Sequence, residues 1–299
     1  MSRKIAAALL APLLVTSLAC ANESDDATVL TGDAAVAALR SAPDAAAEAG
    51  SGRFEMTMSF DTPDGAFEIT ATGAYSGDQM SMEMDLGSAM ADMAAASGET
   101  VPDGFDEPMR IVVDGTRSYM RFPMLDALTG ESGWLSVTPE DMGMASSALG
   151  LGAGADDPAQ LLETLRGVAD DVEVTGEEEI RGVATTGYHA TIDLDRALAE
   201  MPADQREAAA PLLEQLDGSL GEMPVDVWID ADGLARRMRM NMDGLMAEAM
   251  GGAAGGGRAS VTIDFFDYGD DIEVEVPDAS DVTPFSEVMG GLGGVGAQG

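Results

Sequence analysis

The sequence offers few side chains that could perform covalent or acid–base catalysis. It contains one cysteine, Cys20, and one histidine, His189. The histidine alternates with apolar residues in Tyr188-His189-Ala190-Thr191-Ile192, so we expect it on the water-facing side of a strand rather than as a catalytic base. No Gly-x-Ser-x-Gly elbow or phosphate loop occurs, and the sole lysine is Lys4. We therefore predict no catalytic residue, no cofactor and no enzyme activity.

Carboxylates are abundant, but their spacing does not predict a metal site. With 54 Asp and Glu residues, close acidic pairs occur by chance. Asp230-Ala231-Asp232-Gly233 superficially resembles a calcium loop. However, Trp228 stands where the first acidic ligand belongs, and no glutamate occupies the closing position. A tight turn with an acidic rim is the better interpretation, and we predict no metal ligands.

The 21 methionines are the most unusual feature of the composition. Three of the four Met-x-Met groups have the period of two that places side chains on one face of a strand. Three interpretations stay open: plain core packing, an adaptable lipid cavity, and Cu(I) carriage by thioethers. The groups are Met56/Met58, Met80/Met82/Met84, Met142/Met144 and Met238/Met240/Met242.

The N-terminus has the pattern of an export signal. Arg3 and Lys4 precede an apolar run that is too short to span a membrane, and the run ends in Ser17-Leu18-Ala19 followed by Cys20. This order resembles a bacterial lipobox, in which the cysteine receives the lipid. We predict a signal peptide over 1–19 and a lipidated tether over 20–32. The protein would then be extracytoplasmic, anchored to the outer face of the cell membrane.

The net charge restricts the possible partners. The formal charge is −39 at pH 7. Nucleic acids and anionic lipid headgroups both require basic patches, so this charge argues against nucleic-acid binding and against direct adhesion to an anionic membrane. Contact with the membrane would depend on acyl chains attached to Cys20, and two or more chains are needed for stable anchoring.

Alternating residues predict the sheet that would position the methionines. Three runs form a meander after residue 50, and Pro224–Asp243 forms a hairpin around an Asp-Gly turn. In the hairpin we expect Met238, Met240 and Met242 beneath helices, with Arg237 and Arg239 facing water. Further strands are predicted over 110–113, 118–122, 134–137, 171–181, 184–194, 260–266 and 272–276, the last two closing the sheet.

Helices are predicted between these strands. Asp33 is expected to cap a helix through Leu39, with a second turn from Pro43 to Gly50. Residues 87–108 are interpreted as a short helix or a mobile segment. Other helices are expected over 139–149, 158–166, 195–201 and 203–216. No linker divides the body, so we predict one domain over 33–285 and a disordered tail over 286–299.

Several segments resemble actinobacterial lipoproteins of the LppX and LprG type, which in turn resemble the LolA and LolB lipoprotein carriers. The resemblance implies an α+β fold with a single large curved antiparallel sheet, a half-open barrel, whose concave face is covered by helices and holds acylated lipids. The segments are the lipobox, Ser51-Gly52-Arg53-Phe54, Gly187-Tyr188-His189-Ala190-Thr191-Ile192-Asp193-Leu194, Val227-Trp228-Ile229-Asp230 and Gly233-Leu234-Ala235-Arg236-Arg237.

The alternation and the resemblance together suggest a monomeric lipoprotein that binds or transfers an acylated lipid or glycolipid in an apolar, Met-rich cavity. Arg236 is a candidate contact to the lipid headgroup. A structural or interaction lipoprotein with a filled core, and a Met-based Cu(I) carrier, are the alternatives. The residues predicted to line the cavity are Met56, Met58, Phe60, Ile69, Met80, Met82, Met84, Val227, Ile229, Met238, Met240 and Met242.

Overall fold

A computed structural model describes residues 32–62, 65–98, 100–101, 107–123, 126, 133–138, 168–193, 222–244 and 257–288. The helices are α1 (Gly32–Ala49) and α2 (Gly87–Ser97), with a short 3-10 helix at Ala279–Asp281. The strands are β1 (Ser51–Thr62), β2 (Gly65–Ser76), β3 (Gln79–Asp85), β4 (Met109–Asp114), β5 (Arg117–Arg121), β6 (Trp134–Val137), β7 (Val168–Ile180), β8 (Val183–Asp193), β9 (Glu222–Asp230), β10 (Ala235–Asn241), β11 (Arg258–Phe266) and β12 (Val282–Pro284).

The described strands form one sheet in the order β12-β6-β5-β4-β3-β2-β1-β11-β10-β9-β8-β7. All neighbours are antiparallel except β12 and β6, which run parallel. The end strands β12 and β7 do not pair with each other, so the described sheet is not closed into a barrel. The predicted fold class, α+β with a single large antiparallel sheet, is confirmed. The pairing of β1 with β11 joins the N-terminal and C-terminal halves at the middle of the sheet.

Helix α1 continues through Pro43, so the prediction of two separate helical turns is wrong. Proline removes one backbone hydrogen bond from a helix interior. The apolar spacing nevertheless continues across it: Leu39 and Ala42 are 0% exposed and Ala46 is 6% exposed. Packing of this face against β7, β9 and β1 offsets the missing bond, because tertiary contacts supply most of the stability of a helix in a protein.

Helix α2 packs against β2. Its sequence, GSAMADMAAAS, is rich in small residues, which allows a close approach to the sheet. Ala89 is 2% exposed at this contact. The helix ends at Gly98, whose φ of 74° is left-handed and whose N–H donates to the carbonyl of Ala94.

Alternate residues of each strand divide between two faces of the sheet. We call the face that contacts α1 and α2 the inner face and the opposite one the outer face. On β1, Phe54, Met56 and Met58 are at most 3% exposed and belong to the main core on the inner face. Arg53 and Glu55 point to the outer face and are exposed. The sheet is therefore covered on the apolar side and polar on the other, as the alternation predicts.

The prediction that residues 272–276 form a strand closing the sheet is wrong. After β11 the chain turns through Asp267 (φ 53°) and Gly269 (φ 76°) and leaves the plane of the sheet. Residues 271–278, which we call the strap, then run outside the ladder, and over 271–275 buried residues alternate with exposed ones. Ile272 and Val274 are 8% and 7% exposed and pack against Ala74 and Val112 on the outer face. Their alternation reflects this packing rather than strand pairing.

Several predicted features lie outside the described residues. They include the signal peptide, Cys20, most of the tether, Met142, Met144, and the helices predicted over 139–149, 158–166, 195–201 and 203–216. Among the described helices, none combines the length and apolar character required to cross a bilayer.

Candidate functional site

The inner face carries continuous rows of apolar side chains that run across many strands. The central row passes in register through Val174, Tyr188, Val227, Met238, Ile263, Met56, Ala71, Met84 and Met109, from β7 to β4. From Tyr188 to Met109 every member is at most 3% exposed. Because side chains opposite one another in register are neighbours, the row is one apolar surface rather than separate patches.

A second row lies nearer the start of β1, and it includes a close contact. It runs through Phe265, Phe54, Gly73, Met82, Ile111, Met120 and Leu135. A Cβ atom at Gly73 would collide with the ring of Phe54 and would lie 2.5 Å from the carbonyl oxygen of Ser81. Glycine is required there because the phenylalanine ring occupies the space above its backbone.

All the residues predicted to line the cavity lie on this one surface. Met56, Met58, Ile69, Met80, Met82, Met84, Val227, Ile229, Met238 and Met240 are buried in a single cluster, and Phe60 and Met242 pack against it partly buried. The hairpin has the expected orientation for Met238 and Met240, which are buried in one cluster with residues of α1, and for Arg239, which is exposed. Met242 is only partly buried, and Arg237 is half-buried against Asp264 on the outer face. Whether this surface holds a ligand stays a prediction.

The sequence-based selection missed other members of the same surface. Ile263 and Phe265 alternate in a segment that was predicted as a strand, so their inward orientation was available from the pattern. Met109, Ile111 and Met120 lie on the short strands β4 and β5. Their place beside the Met80/Met82/Met84 group follows from strand order, which the pattern does not give.

One end of the inner face is partly exposed. Phe60 lies opposite Ala259 and Phe67 in register, and the amide of Met242 donates to the carbonyl of Ala259 at 2.8 Å. The rings of Phe60 and Phe67 stack with centroids 4.8 Å apart. Phe60, Phe67 and Met242 retain intermediate exposure, unlike the central row. We call this region the Phe60 end; its apolar side chains have surface left for a further apolar contact.

The opposite end of the inner face, near the start of β1, is closed by two tyrosines. The hydroxyl of Tyr75 is buried and has no hydrogen-bond partner among the described residues, and burial raises the pKa of Tyr75 from 10.0 to about 12. Tyr268 donates its hydroxyl hydrogen to the carbonyl of Ala235 at 2.7 Å. Burial also raises the pKa of Tyr268. We call this region the Tyr75 end.

Asp230 organises the turn between β9 and β10. Its carboxylate accepts the amides of Asp232 at 2.9 Å and Leu234 at 3.0 Å, and its side chain is only 4% exposed. The guanidinium of Arg236 donates to it at 2.6 Å and lies 5.1 Å from the ring centroid of Tyr268. These bonds confirm a turn at this sequence. Because the guanidinium of Arg236 is bound to Asp230 within the protein, these bonds argue against its predicted role as a contact to a lipid headgroup.

His189 lies on the outer face, as predicted. Its Nδ1 is 2.6 Å from the carboxylate of Asp226, and its side chain is 43% exposed. No described group of three or more His, Cys, Asp and Glu side chains has an arrangement that could hold a metal ion.

Comparison with known proteins gives one partial sequence match and several fold likenesses. No family model matches the chain. A curated Streptomyces griseus protein, an uncharacterized 31.2 kDa protein from the rplA-rplJ intergenic region, is 31% identical over 120 residues. The match covers 40% of this chain and 36% of that protein, so it spans little more than a third of the relative's length.

Two solved structures are similar in fold. The Mycobacterium tuberculosis lipoprotein LppX is 14% identical with a TM-score of 0.42, covering 82% of this chain and 100% of that chain. LprF from Mycobacterium bovis is 15% identical with a TM-score of 0.41, covering 84% and 100%. At these TM-scores the likeness carries no argument about ligand, partner or location. The structural neighbours of the chain include the lipoproteins LppX and LprF, and to this extent the resemblance predicted from the sequence is confirmed.

Proposed function

We propose that the chain is a membrane-anchored extracytoplasmic lipoprotein that binds or transfers acylated lipids in an apolar, Met-rich cavity, without catalysis. The observation that carries this proposal is the continuous apolar inner face, with its central row from β7 to β4. An acyl chain is apolar along its length, so it could bury its surface against an apolar face of this extent. The Cys20 lipobox supplies the proposed anchor.

The binding energy would come mainly from buried methylenes. Each contributes about 0.8 kcal/mol, so ten of them give on the order of 8 kcal/mol, more than any single polar contact. Methionine suits such a site because its unbranched, polarizable side chain repacks around different apolar shapes. Met56, Met84 and Met238 occupy the central row, where repacking would open space for a chain.

The Phe60 end is the proposed entrance for the lipid. Its row of Phe60, Phe67 and Met242 is partly exposed, whereas Met238 and Ile263 in the central row are 0% exposed. The Tyr75 end carries a buried hydroxyl and the Asp230 turn, so an acyl chain that advanced this far would meet polar groups. The tail would therefore enter between the stacked phenylalanines and Met242.

A structural or interaction lipoprotein with a filled core is the second candidate. It is favoured by the complete burial of Val225, Val227, Met238 and Ile263, each 0% exposed. Side chains that border a water-sized cavity keep some accessible surface, so these four have none beside them. The two candidates differ in whether the methionines move apart for a ligand.

Native mass spectrometry of protein extracted mildly from its own membranes tests the proposal. We expect co-purifying acyl lipid with the wild type and loss of that lipid in Phe67→Asp, because the new charge would lie at the entrance. Thr70→Asp is the matched control, since Thr70 lies on the same strand, is exposed and faces outward. Lipid retained equally by both variants would contradict the entrance.

A lipid-free wild type that also fails to bind a fluorescent fatty acid would overturn lipid binding and support the filled core. Cu(I) retained under reducing conditions by such a lipid-free protein would instead support copper carriage by the methionines.

The anchor has its own test. Cys20→Ala should release the protein from the membrane fraction and abolish its labelling with radioactive palmitate, because the cysteine sulfur carries the diacylglyceryl group in a lipobox. An unchanged membrane fraction would contradict the predicted anchor without affecting the inner face.

A further inference from the structure

The strap leaves a groove on the outer face of the sheet. The groove has a volume of ≈ 400 Å³ and lies between the strap and strands β11, β1, β2, β3 and β4. Its floor includes the small side chains of Thr72 and Ser81, and the rings of Phe266 and Trp134 line it. It is separated from the proposed lipid site by the thickness of the sheet, because every one of these four side chains is on the outer face.

The charged groups of the groove leave an uncompensated negative charge. The two arginines are already neutralised: Arg110 lies 2.9 Å from Glu83, and Arg53 lies 3.6 Å from Asp267. Glu273 and Glu275 of the strap also line the groove, and neither has an ion-pair partner in the part of the chain that the structure describes. A ligand of complementary charge is therefore basic.

The backbone of the strap has unused hydrogen-bonding groups. Ile272 and Val274 hold the strap against the sheet, and the exposed Glu273 and Glu275 alternate with them at the period of an extended chain. Across the described ranges, no backbone hydrogen bond is formed by residues 271–277. An extended segment with free donors and acceptors at the edge of a groove is the feature to which peptides add as a strand.

Two residues that line the groove, Phe266 and Glu55, already hold a guanidinium of the chain itself. Arg181, at the tip of the β7–β8 hairpin, lies with its guanidinium 3.9 Å from the ring centroid of Phe266. The same group donates to the carboxylate of Glu55 at 2.8 Å. A cation held between an aromatic ring and a carboxylate is a favourable arrangement. Trp134, Glu273 and Glu275 also supply an aromatic ring and carboxylates to the groove, and no described cation lies over the Trp134 ring.

We propose that this groove binds an extended basic peptide segment of a partner protein. The segment pairs with the backbone of residues 271–277 and places arginine or lysine side chains beside Glu273, Glu275 and Trp134. Since the groove and the inner face are on opposite sides of the sheet, a partner binds here whether or not a lipid is bound. The site is therefore a docking surface that goes beyond the proposed lipid function and does not depend on it.

Fluorescence anisotropy with a labelled, capped Arg-Val-Arg-Val-Arg-Val-Arg peptide tests the proposal in about 0.15 M salt, where long-range attraction to the acidic surface is screened. The double variant Glu273→Gln/Glu275→Gln should weaken binding about tenfold. The matched control is Glu177→Gln/Glu179→Gln, which removes the same charge from exposed positions on β7 and should leave affinity unchanged. Equal weakening in both double variants would overturn the site, because it would indicate attraction to overall charge.

A second arm tests the backbone pairing. Methylating alternate peptide nitrogens in the probe should abolish binding in one of the two alternating patterns, because only one edge of a strand faces the strap. A probe that binds equally in both patterns, or free arginine amide that binds as tightly as the peptide, would contradict strand addition.

Discussion

The two faces of the central strands differ in how their contacts are specified. On β11 and β1, Ile263 and Met56 meet on the inner face through apolar surface alone. On the outer face, Arg237 of β10 donates two hydrogen bonds to Asp264 of β11 at 2.6 and 2.7 Å. At these strands the inner-face contacts rest on apolar packing, whereas the outer-face contacts rest on paired charges at defined positions. A surface of the first kind suits ligands of variable shape, and one of the second kind suits a specific partner.

The largest expected difference between the faces is their response to a new charge. Ile263→Asp buries a carboxylate in the central row, where the side chain is 0% exposed, and should cost about 4 kcal/mol or more. Thr262→Asp places the same group on the outer face opposite Arg239 and should change the free energy of unfolding by about 0.5 kcal/mol or less. Urea denaturation of both variants measures the contrast. Similar losses in both would show that the outer face is also tightly packed.

A smaller difference is expected between ion pairs of different burial. Asp230→Ala removes a carboxylate that is 4% exposed and leaves Arg236 and two amides without their acceptor, so it should cost about 3 kcal/mol. Asp61→Ala breaks the exposed contact of Asp61 with Arg258 and should leave the thermal midpoint indistinguishable from that of the wild type. Equal midpoints for the two variants would mean that the Asp230 turn is not a fixed part of the fold.

The smallest effect is expected at the Tyr75 end. Tyr75→Phe removes a buried hydroxyl that no described residue hydrogen-bonds and should stabilise the protein by about 1 kcal/mol, whereas Tyr268→Phe removes the bond to Ala235 and should destabilise it by about as much. Chemical denaturation near neutral pH distinguishes the two. A loss of stability in Tyr75→Phe would indicate a hydrogen bond to that hydroxyl.

The pKa of Tyr75 also gives a dependence on pH. In the folded state the pKa is raised from 10.0 to about 12, so the folded chain holds this proton more tightly than the unfolded chain does. The corresponding stability is present below pH 10.0 and is lost as the pH rises to about 12. In Tyr75→Phe the free energy of unfolding should fall less steeply over this range. An unchanged slope would show that Tyr75 titrates normally.

Much of the inner face could be predicted from the sequence because its signal is local. Met56, Met58, Met80, Met82 and Met84 alternate with polar residues, and a period of two fixes which face each side chain shares with its neighbours. The Asp-Gly turn before β10 was equally predictable from its residue types. In the structure Gly233 has a φ of 83°, a positive value that glycine accepts readily. These predictions needed no knowledge of distant contacts.

The predictions that were wrong concern features that depend on contacts between distant segments. Ile272 and Val274 have the alternation of a strand, yet only the position of Ala74 and Val112 decides that they pack on the outer face instead of pairing. Pro43 locally predicts a break in the helix, but the packing of α1 against the sheet stabilises a helix that continues past this residue. The parallel pairing of β12 with β6 likewise joins segments about half the chain apart in sequence.

The sequence by itself determined that alternating strands would present an apolar, Met-rich surface on one side and a charged surface on the other, because side-chain direction follows from the period of the strand. Only the tertiary structure decided the order in which the strands bring their methionines into one row. It also decided that the inner face is fully buried at Met238 and partly exposed at Phe60, and that the strap creates a groove on the outer face. Strand order and crossing segments are set by contacts far apart in the chain, for which local periodicity contains no signal.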